Sequence, residues 1–367
     1  MKSVAKPLNI LVVDDSAYNR KMLRSMLMEM EEVVSVDAVS NGEEAIKMVM
    51  TDPPDVITLD LNMPRMDGFT FLRWLMRNRP LPVVVVSAEG GEKNVFKALD
   101  LGALDFIVKP LRYASERIVE ITAELQEKIR AVAGKDMVPY LKDLKKARTK
   151  QEESPRTVKA DSVKDLAGVL VIGASTGGPS AIQRVLAQMA ADFPLPVIVV
   201  QHMPPVFTRQ FSVRLDKNTP FKVSEAEDGD LLIPGHVLVV PGGSHLEIVE
   251  RKGYSAAIRG KSKNDRFVPS IDMTMISAAN TLGVRSIGVL LTGMGNDGAE
   301  GMLKIRQAGG QTIAESEDST VVFGMPRAAV QKGAAGMVLH LDQIPQKVQK
   351  LAKVISALKN GPSDASN

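Results

Sequence analysis

The sequence has no cysteine in 367 residues. Disulfides, thiolate nucleophiles and cysteine-based metal sites are therefore excluded, and the composition suits a reducing cytoplasm. Histidine is almost as scarce. His202, His236, His245 and His340 are the four present, so imidazole chemistry must come from that short set. No apolar run reaches the roughly 20 residues that span a bilayer. The opening MKSVAKPLNILVVDD has a short apolar stretch ending in two aspartates. It reads as a buried strand rather than a secretion signal, so direct membrane insertion is not expected and the expected compartment is the cytoplasm. Net charge is small, +3 from 46 basic and 43 acidic side chains. That argues against nucleic acid as a partner, although the sequence pI is about 8.9. Tandem repeats and low-complexity segments are also missing.

What is present fits two soluble α/β domains. The chain is too long for one ordinary core, since domains usually run to about 100–200 residues. Apolar runs at 8–13, 33–39, 56–61, 83–87 and 106–108 alternate with stretches of helical spacing, the last helix spanning 115–133. Strand alternating with helix predicts a parallel sheet with right-handed crossovers. Residues 134–167 are charged and lack periodicity, which predicts a linker, partly helical or disordered. A second pattern occupies 168–357. Strands are predicted at 169–172, 197–201, 237–240, 286–291 and 312–314, and helices at 178–190, 270–282 and 298–308. Residues 358–367 read as a tail.

Functional groups in open α/β sheets gather at the carboxyl ends of strands. In the first domain those ends carry Asp14, Asp15, Asp60, Ser87 and Lys109. Together they make an oxygen-rich pocket with one amine. Such a donor set suits Mg²⁺, a hard cation that takes few carboxylates and keeps waters for phosphate oxygens. Asp60 would then be a nucleophile that forms an acyl phosphate, with Ser87 and Lys109 contacting the phosphoryl group. Taken alone, Asp14 and Asp15 fit helix caps equally well.

In the second domain, VLVIGASTGGPSAIQRVL places G-x-S-x-G between a strand and a helix. The turn would expose the Ser175 hydroxyl beside helix N-terminal amides that can stabilise an oxyanion. A phosphate cradle is disfavoured because the glycines do not match G-x-G-x-x-G. A capping role for Ser175 stays open on the local motif. His202 ends a strand on the same sheet edge, and Asp297 lies between a strand and a helix, where capping is its ordinary job. Ser, His and Asp delivered by three strand ends to one edge make a triad geometry. Their order differs from the Ser-Asp-His order of α/β-hydrolases.

The succession DD, D-x-N-M-P-x-M-D-G, V-S-A and K-P over the first third of the chain closely resembles the response-regulator receiver family. That resemblance implies a flavodoxin-like fold with Asp60 as phosphoacceptor. Asp14, Asp15 and Asp60, with the Asn62 carbonyl, would be Mg²⁺ ligands, and Ser87, Phe106 and Lys109 switch residues. A histidine kinase would be the phosphodonor. From Gly168 to about Leu341, the motifs IGASTGGP, VQHMPPVFTRQFSVRLD, PGHVLVVPGG, PSIDMTMISAA, IGVLLTGMGNDGAEGM and VVFGMPRAAV resemble the catalytic domain of bacterial chemotaxis protein-glutamate methylesterases. The run DRFVPSID departs from the HRPSVD-like run more usual there. The resemblance implies a doubly wound, mostly parallel domain with Ser175 as nucleophile, His202 as base and Asp297 as its orienter. Thr176 and Met294 would support the oxyanion. The expected activity is phosphorylation-activated hydrolysis of glutamyl methyl esters on methyl-accepting chemotaxis receptors, with glutamine deamidation. No cofactor is expected for the esterase, and the chain is expected to be a monomer. The rival reading is a non-catalytic phospho-switch adaptor, which a missing triad member would favour. A DNA-binding regulator would need a basic recognition helix, and none is evident.

Overall fold

The computed structural model describes residues 7–88, 91–109, 115–148 and 166–359. Pro110, half of the expected linker (149–165) and residues 360–367 of the expected tail lie outside the described residues. The chain divides into two compact units, with the boundary after Lys146.

The first unit comprises β1 (Leu8–Val13), α1 (Ala17–Met28), β2 (Val33–Val39), α2 (Gly42–Thr51), β3 (Val56–Leu59), α3 (Gly68–Asn78), β4 (Val83–Ser87), α4 (Glu92–Leu101), β5 (Asp105–Val108), α5 (Ser115–Val132) and α6 (Met137–Arg148). Its five strands are ordered β2-β1-β3-β4-β5 and all pair in parallel, the flavodoxin-like order. β3 (VITL) and β4 (VVVVS) are buried throughout, as strands covered by helices on both faces must be. Local chemistry sets the helix starts. The Asn41 side chain accepts from the Glu43 and Glu44 amides to cap α2, and those two acids sit in its first turn, where the helix dipole favours them. β3 ends at Leu59, so Asp60 lies just beyond the strand, as expected. Residues 137–148, within the segment expected to be a partly helical or disordered linker, form α6. Met137 is buried there, and the Leu141 side chain packs so close to Gly102 that an added Cβ would lie 2.9 Å from it.

The second unit comprises β6 (Val169–Ala174), α7 (Gly178–Ala187), β7 (Val197–Gln201), α8 (Pro205–Asn218), β8 (Lys222–Glu225), β9 (His236–Val239), β10 (Ser244–Glu250), β11 (Tyr254–Gly260), α9 (Ile271–Leu282), β12 (Ser286–Leu290), α10 (Ala299–Gln307), β13 (Gln311–Glu315), α11 (Met325–Gln331), β14 (Met337–Leu339) and α12 (Ile344–Lys359). Seven strands form a parallel sheet in the order β14-β13-β12-β6-β7-β9-β8. β10 and β11 make a separate antiparallel hairpin. The chain builds outward from β6 on one side through β7 and then returns to its other side with β12. This reversal is the topological switch point, where a crevice opens beyond the carboxyl ends of the two strands.

Candidate active site and phosphoacceptor site

Ser175 follows β6 at the switch point. Its N–H donates to the Thr292 carbonyl (3.0 Å), and its own carbonyl accepts from the Gly178 amide (2.8 Å) and from Gln201 Nε2 (2.9 Å). These bonds hold the turn into α7 against the ends of β12 and β7. The close approach needs glycine at 293, where a Cβ would lie 2.8 Å from that of Ser175. Among the described residues the Ser175 hydroxyl makes no hydrogen bond. The N–H groups of Thr176 and Met294 likewise find no protein acceptor there. Thr176 is buried, and its carbonyl accepts from Thr292 Oγ1 (2.9 Å).

His202 follows β7, its N–H donating to the Ala174 carbonyl (3.2 Å). The ring Nε2 lies 2.8 Å from Asp297 Oδ2. An ionised carboxylate only accepts, so Nε2 carries the proton and Nδ1 keeps the lone pair of the neutral imidazole. The ring also stacks on Phe267, with centroids 5.1 Å apart and planes within 2°.

Asp297 is 2% exposed. Besides His202 it accepts from the Ile271 N–H (2.7 Å), the Asp272 N–H (3.0 Å), the Gly298 N–H (3.1 Å) and Ser270 Oγ (3.2 Å). The capping contacts and the contact with His202 thus fall on one carboxylate, and the helix whose amides it receives is chiefly α9. Burial pushes the Asp297 pKa up, but the hydrogen bond from His202, the charge of that ring when it is protonated and the α9 amides outweigh it and hold the group below the usual carboxylate value. The neighbouring Asp272 shows the opposite balance. Burial, together with the charge of Asp297, raises it to about 6, despite the hydrogen bond from the Gly301 amide.

The other histidines sit elsewhere. His245 is fully buried, with Nδ1 accepting from the Ser270 N–H (3.2 Å) and Nε2 2.9 Å from Asp265 Oδ2. Both its nitrogens are committed, so it has no free lone pair for a general base. His236 bonds Ser224, and His340 Nδ1 accepts from the Asp342 N–H. Sequence reasoning missed Phe267, Ser270, Asp272 and Gln201. The signal was present for Ser270 and Asp272, which lie in the quoted motif PSIDMTMISAA. Stacking of Phe267 on His202 had none, because it depends on a loop path.

In the first unit, Asp14 and Asp60 are buried and Asp15 is exposed. Their carboxylate oxygens lie within 4.8 Å of one another. Lys109 Nζ bridges Asp14 Oδ2 (2.8 Å) and Asp60 Oδ2 (2.6 Å). Burial raises the Asp60 pKa, and Lys109 offsets this only in part. For Lys109, burial alone would lower the value, yet the two carboxylates raise it and keep the ammonium charged. Asn19 Nδ2 donates to Asp14 Oδ1 at 3.2 Å, and the Asn62 N–H to Asp60 Oδ1 at 3.2 Å. Ser87 is buried at the end of β4 and Phe106 is buried within β5. A cluster of hard carboxylate oxygens around one amine fits Mg²⁺ with a phosphoryl group.

Residues 170–348 match the CheB methylesterase family and residues 10–123 the response regulator receiver domain. The protein-glutamate methylesterase/protein-glutamine glutaminase 3 of Geobacter sulfurreducens is 40% identical over 96% of this chain and 99% of its own. The corresponding protein 1 of Myxococcus xanthus is 44% identical over 94% of this chain and 97% of its own. The chain belongs to the CheB methylesterase family. A solved structure, the CheB methylesterase catalytic domain of Thermotoga maritima, is 39% identical, covering 50% of this chain and 98% of that one, with a TM-score of 0.49. The CheB methylesterase match encloses Ser175, His202 and Asp297, and the receiver match encloses Asp14, Asp15, Asp60, Ser87, Phe106 and Lys109.

Proposed function

We propose that this protein hydrolyses γ-methyl esters of glutamates on methyl-accepting chemotaxis receptors, deamidates receptor glutamines at the same site, and is switched on by phosphorylation of Asp60. The observation that carries the reading is the 2.8 Å His202–Asp297 pair at the switch point beside Ser175. Ser175 Oγ attacks the ester carbonyl carbon and gives its proton to His202 Nδ1. The unpartnered N–H groups of Thr176 and Met294 receive the oxyanion. On collapse the C–O bond to methoxide breaks, His202 returns the proton, and methanol leaves. Water then attacks the acyl-serine with His202 again as base, releasing the glutamate carboxylate and restoring Ser175. An amide passes through the same kind of tetrahedral intermediate, with ammonia as leaving group, to the same acyl-serine.

In the receiver, Asp14, Asp15 and Asp60, with the Asn62 carbonyl, would hold Mg²⁺, which when bound neutralises phosphoryl oxygens among these carboxylates. Asp60 takes a phosphoryl group from a histidine kinase, Lys109 pairs with it, and Ser87 and Phe106 respond. The protein acts as a cytoplasmic monomer. The test is methanol release from receptor cytoplasmic fragments carrying glutamyl methyl esters. Release that rises with acetyl phosphate is expected. No methanol from any methylated receptor fragment, with folded and phosphorylated protein, overturns the reading.

A further inference from the structure

A chain of hydrogen bonds runs from the His202 imidazole to a second His–Asp pair. His202 Nε2 meets Asp297 Oδ2 (2.8 Å), and Asp297 Oδ1 accepts from Ser270 Oγ (3.2 Å). The Ser270 N–H donates to His245 Nδ1 (3.2 Å), and His245 Nε2 reaches Asp265 Oδ2 (2.9 Å). The same Asp265 oxygen accepts from the Ser262 N–H (2.7 Å). A backbone N–H can only donate, so His245 Nδ1 is the acceptor and Nε2–H the donor to Asp265. His245 stands on β10, fully buried. It therefore fastens residues 261–270, a segment without helix or strand, at its middle and at its end.

Between the fastening points lie Arg266 and Phe267, and Phe267 is the ring stacked on His202. Lys261, Ser262, Lys263, Asn264 and Arg266 are exposed, so little packing on the segment's outer side holds its path. The hydrogen bond at Nε2 fixes where one atom of the imidazole points, but not the tilt of the ring plane. A parallel aromatic face fixes that tilt. The two constraints together direct Nδ1.

We propose that His245 and Asp265 are positioning residues for the catalytic imidazole, holding Phe267 against His202 so that the ring plane, and with it Nδ1, keeps its orientation. This rests on the reading of His202 as the base. A misplaced catalytic group costs up to about 100-fold in rate, and a tilted ring still bonded to Asp297 should lose roughly tenfold.

The experiment compares Asp265→Ala and Asp265→Asn in the full chain. Asparagine keeps an oxygen acceptor for both His245 Nε2–H and the Ser262 N–H, whereas alanine keeps neither. Two readouts are taken: kcat and KM on a methylated receptor fragment, and the imidazole proton resonances. With four histidines in the chain, the His202 signals are assigned by their loss in His202→Gln. Expected for Asp265→Ala is a roughly tenfold fall in kcat with KM within about twofold. The His202 signals should move downfield as the Phe267 ring current is lost. Asp265→Asn should keep both near wild type, and Phe267→Ala, which leaves the pin intact, should reproduce the Asp265→Ala loss. Wild-type kcat and unmoved His202 signals in Asp265→Ala overturn the proposal. So does an equal loss in Asp265→Asn, or a KM effect alone, which would mark a substrate contact. Were the protein not an esterase at all, the resonance shift would still report whether Asp265 holds Phe267 over His202.

Discussion

Asp297 receives the first amides of α9 and also orients His202, so substitutions there separate catalysis from folding only if the helix contacts survive. Asparagine with its amide nitrogen in the Oδ2 position keeps an acceptor for the Asp272 N–H but presents a donor to both His202 and the Ile271 N–H, and favours the wrong tautomer. Asp297→Asn should therefore lower kcat on the order of 10⁴-fold while costing about 1 kcal/mol of stability, read by methanol release and denaturant melts. The depressed pKa of Asp297 means that its carboxylate stabilises the fold above the ordinary carboxylate value. That contribution is lost as pH falls through the depressed folded value. The acid limb of the stability curve should accordingly be shallower in Asp297→Asn than in wild type. Ser175→Ala removes one half-buried hydroxyl that bonds nothing among the described residues. It should melt with the wild type while losing about 10³-fold or more in methanol release. Near wild-type turnover by the folded variant would move the nucleophile elsewhere.

α9 begins with two carboxylates in contact, and they do not share the burden equally. Asp272 has a folded pKa of about 6, above its ordinary 3.8. The folded state therefore binds a proton more readily than the unfolded chain between those values, and the stability this gives is lost as pH rises through 6. Asp272→Asn keeps an acceptor for the Gly301 amide and removes the repulsion. It should melt roughly 2–6 °C above wild type at pH 8, the gap closing by about pH 4, as calorimetry across that range would show. A constant gap at every pH would mean that charge is not the cause. At this scale the sequence spoke clearly where strands are covered on both sides. VITL, VVVVS and VLVIGA are unbroken β-branched or apolar runs, and the carboxyl-end residues followed from them. It was quieter at the sheet margins. β8 (KVSE) buries a single side chain, and β14 has three residues. α12 was legible and went unread: Ile344, Val348, Ala352 and Ile355 are buried at helical spacing. Phe267 could not be read, since its contact with His202 depends on the path fixed by His245 and Asp265.

Two units with separate sheets allow one to be chemically altered while the other does the work. Asp60→Asn should take no label from acetyl phosphate, because an amide cannot form the acyl phosphate. Chelating Mg²⁺ should abolish labelling of the wild type, since Asp14 and Asp15 would otherwise repel the phosphoryl oxygens. Label in either case removes Asp60 or the cation from the scheme. If the unphosphorylated receiver restrains the esterase, a chain beginning at Leu166 should hydrolyse methyl esters faster than the unphosphorylated full chain. Phosphodonor should then accelerate only the full chain; a slower fragment would mean that the receiver assists catalysis instead. The strand order also has a consequence in time. β6, with every residue buried, pairs with β7 on one edge and β12 on the other. A chain made from its N-terminus has β7 within a few seconds of β6 at about 5–20 residues per second. Residues 286–290 come much later, after α8, β9 and the β10–β11 hairpin. Until they emerge, the strand that leads into Ser175 shows the ribosome's surroundings a bare apolar edge, the kind that other chains add to. Insertion of β12 covers that edge and leads the chain on to Met294 and Asp297, while the open edge passes to β12 itself until β13 pairs with it.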